Sequence, residues 1–119
     1  MNEVVGVLKA VSDPTRIRIL MSLLNGELCV CRITALLKLA PSTISKHLFI
    51  LRHAKLIKSR KDGKWIYFEL NLSSKKNSIT KAIELLKNNL KHDSTIKSDF
   101  AKLQKILKMS QKEVCSTRK

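Results

Sequence analysis

The chain has 119 residues, a single-domain length, with 24 lysines and arginines against 9 acidic residues and a formal charge of +15. Apolar residues make up 44 %, which is enough for a packed core and excludes wholesale disorder. Aromatic residues make up only 4 %, which argues against a stacking platform for single-stranded nucleic acid. No run approaches the roughly 18 apolar residues of a membrane span, and the start, MNEVVGVLKA, lacks the pattern of a signal peptide. Three cysteines, an odd number, do not make a disulfide framework. These observations predict a soluble cytoplasmic protein whose excess positive charge meets a polyanion, most often nucleic acid.

In chain order, Val4, Leu8 and Val11 form a first helical stripe. Asp13-Pro14 reads as an N-cap followed by proline in the first turn, opening a helix striped by Ile17, Leu20, Met21 and Leu24 and stopped at Asn25-Gly26. A short third helix covers about Val30 to Leu39, with Ile33, Leu36 and Leu37 inward. Pro41 opens a fourth, whose inward stripe is Ile44, Leu48 and Leu51 and whose other face is polar. From Ile57 the period changes to two around the turn signal Asp62-Gly63, with Ile66, Phe68 and Leu70 on one strand face and Trp65, Tyr67 and Glu69 on the other. The serines and asparagine of 71–78 mark a loop into a helix striped by Ile79, Ile83, Leu86 and Leu90. His92-Asp93-Ser94 breaks it, and Ile96, Phe100, Leu103 and Leu107 stripe the next. The last ten residues show no periodicity.

Four helices, a hairpin and two further helices make a mainly α fold with a small β-hairpin: a winged helix-turn-helix in one domain over 1–119. The helix-turn-helix falls at about 30–54 and the wing at about 57–70. Charge follows this plan. Residues 1–45 carry a net +2 and residues 65–74 a net −1, whereas residues 46–64 carry seven bases and one acid. The +8 of residues 75–119 is spread over a longer stretch and reads as a solvated face.

A helix that reads the major groove needs short polar or basic side chains near its N-terminus, where it approaches base edges. Ser42, Thr43, Ser45, Lys46 and His47 fit that need, and Lys58, Arg60, Lys61 and Lys64 around the hairpin are placed to neutralise phosphates. A solvated helix beside a charged hairpin is the competing reading. No nucleophile is paired with a base, and no glycine-rich phosphate loop exists, so no enzymatic activity is expected.

The stretch LAPSTISKHLFILRHAKLIKSRKDGKWIYFEL resembles the DNA-binding core of ArsR/SmtB-type metalloregulators, and DPTRIRIL resembles their second helix. The resemblance runs from about Val4 to Leu72. It implies a homodimeric repressor on an inverted-repeat operator of double-stranded DNA, with the N-terminal helix and the helices of 75–109 making the dimer contact. It places base reading on Ser42, Ser45 and Lys46, with Thr43 adjacent. Lys55 departs from the family, which commonly has glycine there; a left-handed backbone at that site costs lysine about 1 kcal/mol.

The second constellation is ELCVCRI, residues 27–33. Positions i and i+2 of a regular helix point about 200° apart, so Cys29 and Cys31 share one ion only if the first turn is irregular; Cys29 at an N-cap already lies outside the helix. Thiolates select soft or borderline ions over calcium or magnesium. Small buried cysteines are the plain alternative. ELCVC also resembles the inducer motif of the family's arsenic sensors and its cadmium/lead sensors. The resemblance implies no obligatory cofactor and arsenite or antimonite, a trivalent metalloid, as the inducer.

The arsenic branch carries a third cysteine where Thr34 stands here, leaving the site one ligand short unless Cys115 supplies it from its own or the partner subunit. Arg32 departs from the usual acid. His47 and His53 lie on the reading helix, where DNA contact or exposure explains them better than a metal. Three functions follow: a repressor released by trivalent arsenic or antimony, a repressor of the same fold responding to thiol oxidation or to cadmium or lead, and an inducer-free basic DNA-coating protein.

Overall fold

The computed structural model describes residues 1–72 and 77–116. The elements are α1 (Asn2–Ala10), α2 (Pro14–Ser22), β1 (Leu28–Cys29), α3 (Val30–Leu37), α4 (Pro41–His53), β2 (Ile57–Asp62), β3 (Trp65–Leu70), α5 (Asn77–Leu90), α6 (Ser94–Lys108) and α7 (Gln111–Ser116). The fold is a winged helix-turn-helix, mainly α with a small antiparallel sheet. Part of the expected 71–78 loop lies outside the described residues.

Local chemistry accounts for most boundaries. Asp13 caps α2, its carboxylate accepting from the Arg16 amide at 3.0 Å, with Pro14 in the first turn. Asp93 does the same for α6, accepting from the Ile96 amide at 3.1 Å. Helix α4 closes in a Schellman arrangement: the Lys55 amide donates to the Arg52 carbonyl at 2.9 Å and the Leu56 amide to the Leu51 carbonyl at 3.1 Å. The arrangement needs a left-handed residue after the cap, and Lys55 supplies it at φ 66°. Leu51 and Leu56, both fully buried, make the apolar contact that accompanies the motif. The hairpin pairs Asp62 with Trp65, so its two-residue loop is Gly63-Lys64, with Gly63 at φ 61° in the first central position.

The inward stripes of α3, α4 and α5 meet in one core with Ile19, Leu20, Leu56, Ile57, Phe68 and Leu70. Arg18 of α2 and Asp99 of α6 tie the two halves of the chain by a bidentate pair at 2.8 and 2.9 Å, with Asp99 buried. The Asp99 hydrogen bond holds the Arg18 pKa above its ordinary value, outweighing desolvation.

Four expectations are revised. Helix α1 buries Val7 and Ala10 rather than the Val4–Leu8 side, which is 48 % and 59 % exposed at those residues; α1 is apolar on two faces, and the core takes the other one. Helix α3 ends at Leu37, where Lys38 turns left-handed, two residues before Leu39. The hairpin is part of a three-stranded sheet, β1-β3-β2, because Leu28 and Cys29 pair with Phe68 and Tyr67. The end of the chain contains a helix, α7, whose Val114 is buried. Among the described residues no helix is long and apolar enough to cross a membrane.

Candidate nucleic-acid interface and metal centre

Pro41 fixes the first turn of α4 at its N1 position, and Ile44, Leu48 and Leu51 anchor one side in the core. The opposite side therefore points outward. Ser42, Ser45 and Lys46 are exposed there and Thr43 is half-buried. His47 turns inward instead: its Nδ1 lies 3.3 Å from Arg16 Nη1, and Arg16 also donates from Nε to the Ala10 carbonyl at 2.7 Å. His47 thus joins α4 to the corner between α1 and α2 rather than to the displayed face.

In the wing, antiparallel register puts Lys58 and Arg60 on the same sheet face as Glu69 and Tyr67. Lys58 pairs with Glu69 at 3.3 Å. Lys61 and Lys64 are exposed, and Lys64 Nζ lies 4.9 Å from the Trp65 ring centroid. Arg60 is exposed but engaged within the protein: its guanidinium forks onto Glu27, with Nε 2.9 Å from Oε2, and rests 4.3 Å above the Tyr67 ring. The Arg60 hydrogen bond holds the Glu27 carboxyl below its usual range.

Cys29 ends β1 and stands at the N-cap of α3 with extended backbone, φ −66° and ψ 145°. That irregular position removes the angular conflict between i and i+2, so Cys29 and Cys31 converge. Helix α7 brings Cys115 to them, and all three Sγ atoms lie within 4.8 Å of one another. Sulfur ligands about 2.3 Å from a central ion stand roughly 4 Å apart in a trigonal set, so the three cysteines, once all are free thiols, are close enough together to share a soft ion. In this structure Cys31 and Cys115 form a disulfide with Cα atoms 5.3 Å apart, and Cys29 is a free, buried thiol. A cleft of about 390 Å³ beside them is lined by Val30, Lys64, Trp65, Ile66 and Lys112 as well as the cysteines. Thr34, where a third helix cysteine is absent, donates Oγ1 to the Val30 carbonyl at 2.9 Å and takes no part.

Helix α7 is held on this spot by contacts that the cysteines alone do not predict. Gln111 Nε2 donates to the Tyr67 hydroxyl at 2.9 Å, and Arg32 Nη2 donates to the Met109 carbonyl at 3.1 Å. Ser110 and Glu113 form a reciprocal capping box, each backbone amide donating to the other's side chain at 3.2 Å. The S-x-x-E spacing was the available signal for this helix; sequence reasoning missed it because six residues are too few to show a period. Glu27 and Tyr67, the partners of Arg60, were missed for lack of any local signal.

Comparison with known proteins places the chain among transcriptional regulators. Residues 13–59 match the family described as bacterial regulatory protein, arsR family. The chain is 48 % identical over 63 residues to an uncharacterized HTH-type transcriptional regulator of Methanocaldococcus jannaschii, covering 52 % of this chain and 71 % of the relative. It is 40 % identical over 81 residues to a Staphylococcus aureus homolog of the cadmium resistance transcriptional regulatory protein CadC, 67 % of each chain. It is 41 % identical over 64 residues to the arsenical resistance operon repressor of Escherichia coli, 53 % of this chain and 55 % of that one. Among solved structures, reduced HlyU from Vibrio cholerae superposes with a TM-score of 0.63 at 32 % identity, over 73 % of this chain and 87 % of that one. The family match takes in Cys29, Cys31 and α4 and stops well before Cys115.

Proposed function

Because the chain belongs to the ArsR family of bacterial regulatory proteins, we propose that it is a homodimeric repressor of an inverted-repeat operator, released when trivalent arsenic or antimony binds Cys29, Cys31 and Cys115. The observation that carries the inducer is the convergence of three sulfur atoms within 4.8 Å at the start of α3, the helix directly before the reading helix. A small-molecule thiol reductant first supplies two electrons and two protons to the Cys31–Cys115 disulfide; arsenous acid then exchanges its three hydroxyl groups for three thiolates, each thiol yielding its proton, and three waters leave. Three As–S bonds then tie the N-terminus of α3 to α7, and any strain in that turn is passed to α4 through their shared packing. By reciprocity, operator binding weakens inducer binding by the factor through which inducer weakens operator binding.

Two faces support the dimer: Val4 and Leu8 of α1 and Leu85 of α5 are exposed apolar residues, suited to a second copy. Lys61, Lys64 and the outward side of α4 supply the contact with duplex DNA, Ser42, Ser45 and Lys46 meeting bases and the wing meeting phosphates. The test is a titration of the thiol-reduced chain with arsenite while operator binding and sulfur coordination are followed. Release at one ion per site, abolished by Cys31→Ser with operator affinity intact, supports the reading; operator binding unchanged at saturating arsenite overturns it.

One observation favours a second reading, a thiol-redox switch: Cys31 and Cys115 are joined in this structure. Two thiols give two electrons and two protons to a peroxide, which leaves as two waters. Release by peroxide in the absence of metalloid selects this reading. Release by cadmium or lead but not arsenite selects the divalent alternative. Equal affinity for random duplex and inverted repeat points to a DNA-coating protein.

A further inference from the structure

The outward side of α4 continues past Lys46. Positions i, i+3, i+4 and i+7 share one face of a helix, and these are the positions from which a helix in the major groove reaches base edges. Counted from Ser42 they are Ser42, Ser45, Lys46 and Phe49. Phe49 is 60 % exposed, and its ring is stacked on that of His53, with centroids 5.9 Å apart and planes 13° from parallel. The stack holds the ring out from the helix, beside a shallow hollow shared with Ser45, Lys46 and Ile50.

Single exposed apolar residues are common on protein surfaces, so exposure alone says little. The surroundings say more. Lys46, Arg52 and Lys55 are exposed cations flanking the ring, so whatever covers it is both anionic and locally apolar. The floor of the major groove offers one apolar group among its base edges, the C5-methyl of thymine, and phenylalanine is among the side chains that meet it. We propose that Phe49 reads a thymine methyl group in each half-site, making it a specificity-determining residue of the operator contact. This rests on α4 being the reading helix. Seven residues separate Phe49 from Ser42, about 10 Å along the axis, so the thymine lies about three base pairs from the base under Ser42. A second copy of the chain is the rival occupant, because Phe49 and Ile50 also border a hollow of about 540 Å³ against α1 and α5.

The experiment selects an operator from random duplexes with the reduced full-length chain, then replaces each thymine of the half-site by deoxyuridine, which deletes only the methyl group. One replacement per half-site is expected to weaken the wild-type chain about fourfold, and both half-sites together about fifteenfold. Phe49→Ala is expected to bind thymine and deoxyuridine duplexes equally and to select operators without thymine there. Ser42→Ala, as a control, keeps the deoxyuridine penalty while losing discrimination elsewhere. Because Phe49 is exposed, Phe49→Ala leaves the thermal melt unchanged. An operator indifferent to deoxyuridine at every thymine overturns the inference and leaves the repressor reading standing. So does a penalty that persists in Phe49→Ala, or a Phe49→Ala chain whose only defect is weaker self-association by sedimentation. A chain that selects no operator overturns both.

Discussion

Every side chain on the outward side of α4 comes from thirteen consecutive residues, Pro41–His53. The cysteine centre instead joins two positions at the start of α3 to one 84 residues after Cys31. The first is a local construction: proline sets the entry, three leucine or isoleucine anchors set the rotation, and the Schellman closure at Lys55 sets the end. The second depends on α6 and α7 returning to the front of the molecule, which requires packing that spans the chain. A site of the first kind survives most distant substitutions; one of the second kind fails whenever the return path loosens. The two regions therefore respond differently to the same perturbation, and that difference is measurable.

The largest separation is expected from Arg18→Ala. It leaves the Asp99 carboxylate buried without its guanidinium, and loss of one partner of such a pair costs about 3 kcal/mol. The pair links α2 to α6, so denaturant melts shift strongly, and protection from amide exchange falls first in α6 and α7. Equal loss of protection in α4 and α7 contradicts the division into local and long-range halves. Val114→Ala comes next. It removes apolar volume under α7 at a residue 2 % exposed, for about 2 kcal/mol of local docking energy. Metalloid affinity is expected to drop roughly tenfold or more, with operator affinity in the reduced, metalloid-free protein unchanged. A parallel fall in operator affinity shows that α7 also supports the reading face.

This contrast explains which features are legible in the sequence. The inward stripes of α3, α4 and α5 and the cap at Asp13 are short-range consequences of periodicity and backbone sterics, and each appears where the residues direct, whereas the left-handed site at Lys55 was indicated only by the family resemblance. The Val4–Leu8 stripe was equally visible, yet periodicity reports only that a face is apolar, not which of two faces the core takes. Strand β1 is two residues long and exists only because β3 lies beside it; no propensity marks it. Arg60 shares the charge of its neighbours in sequence, but register places it against Glu27 and Tyr67, a partnership set by pairing rather than by composition.

Lys55→Gly probes the local half by itself. Glycine adopts φ 66° without a Cβ clash, so the closure of α4 gains about 1 kcal/mol, offset in part by the entropy glycine carries in the unfolded chain. The rise in melting temperature is expected without any change in metalloid affinity. A coupled change in the cysteine centre means that the end of α4 is not as self-contained as its hydrogen bonds indicate.

The smallest effect lies where the two halves touch. Glu27 precedes Cys29 by two residues, and Arg60 belongs to the wing, so their pair bridges the strand that carries Cys29 and the hairpin. The Arg60 hydrogen bond lowers the folded pKa of Glu27, with a smaller opposing push from burial. A carboxyl whose folded pKa lies below its unfolded value contributes stability that is present above the ordinary glutamate range and lost as pH falls through the folded value. Both side chains are substantially solvated, so screening keeps the contribution slight. Thermal melts of wild type and Glu27→Gln at low ionic strength are expected to coincide at the acid end and to separate slightly as pH rises through the glutamate range, with the separation disappearing in roughly 0.5 M salt. The substitution also frees Arg60 toward DNA phosphates, so operator affinity rises and its salt dependence steepens by about one counterion per subunit. An unchanged salt slope shows that Arg60 stays on Tyr67 and that the wing contacts DNA through its lysines alone.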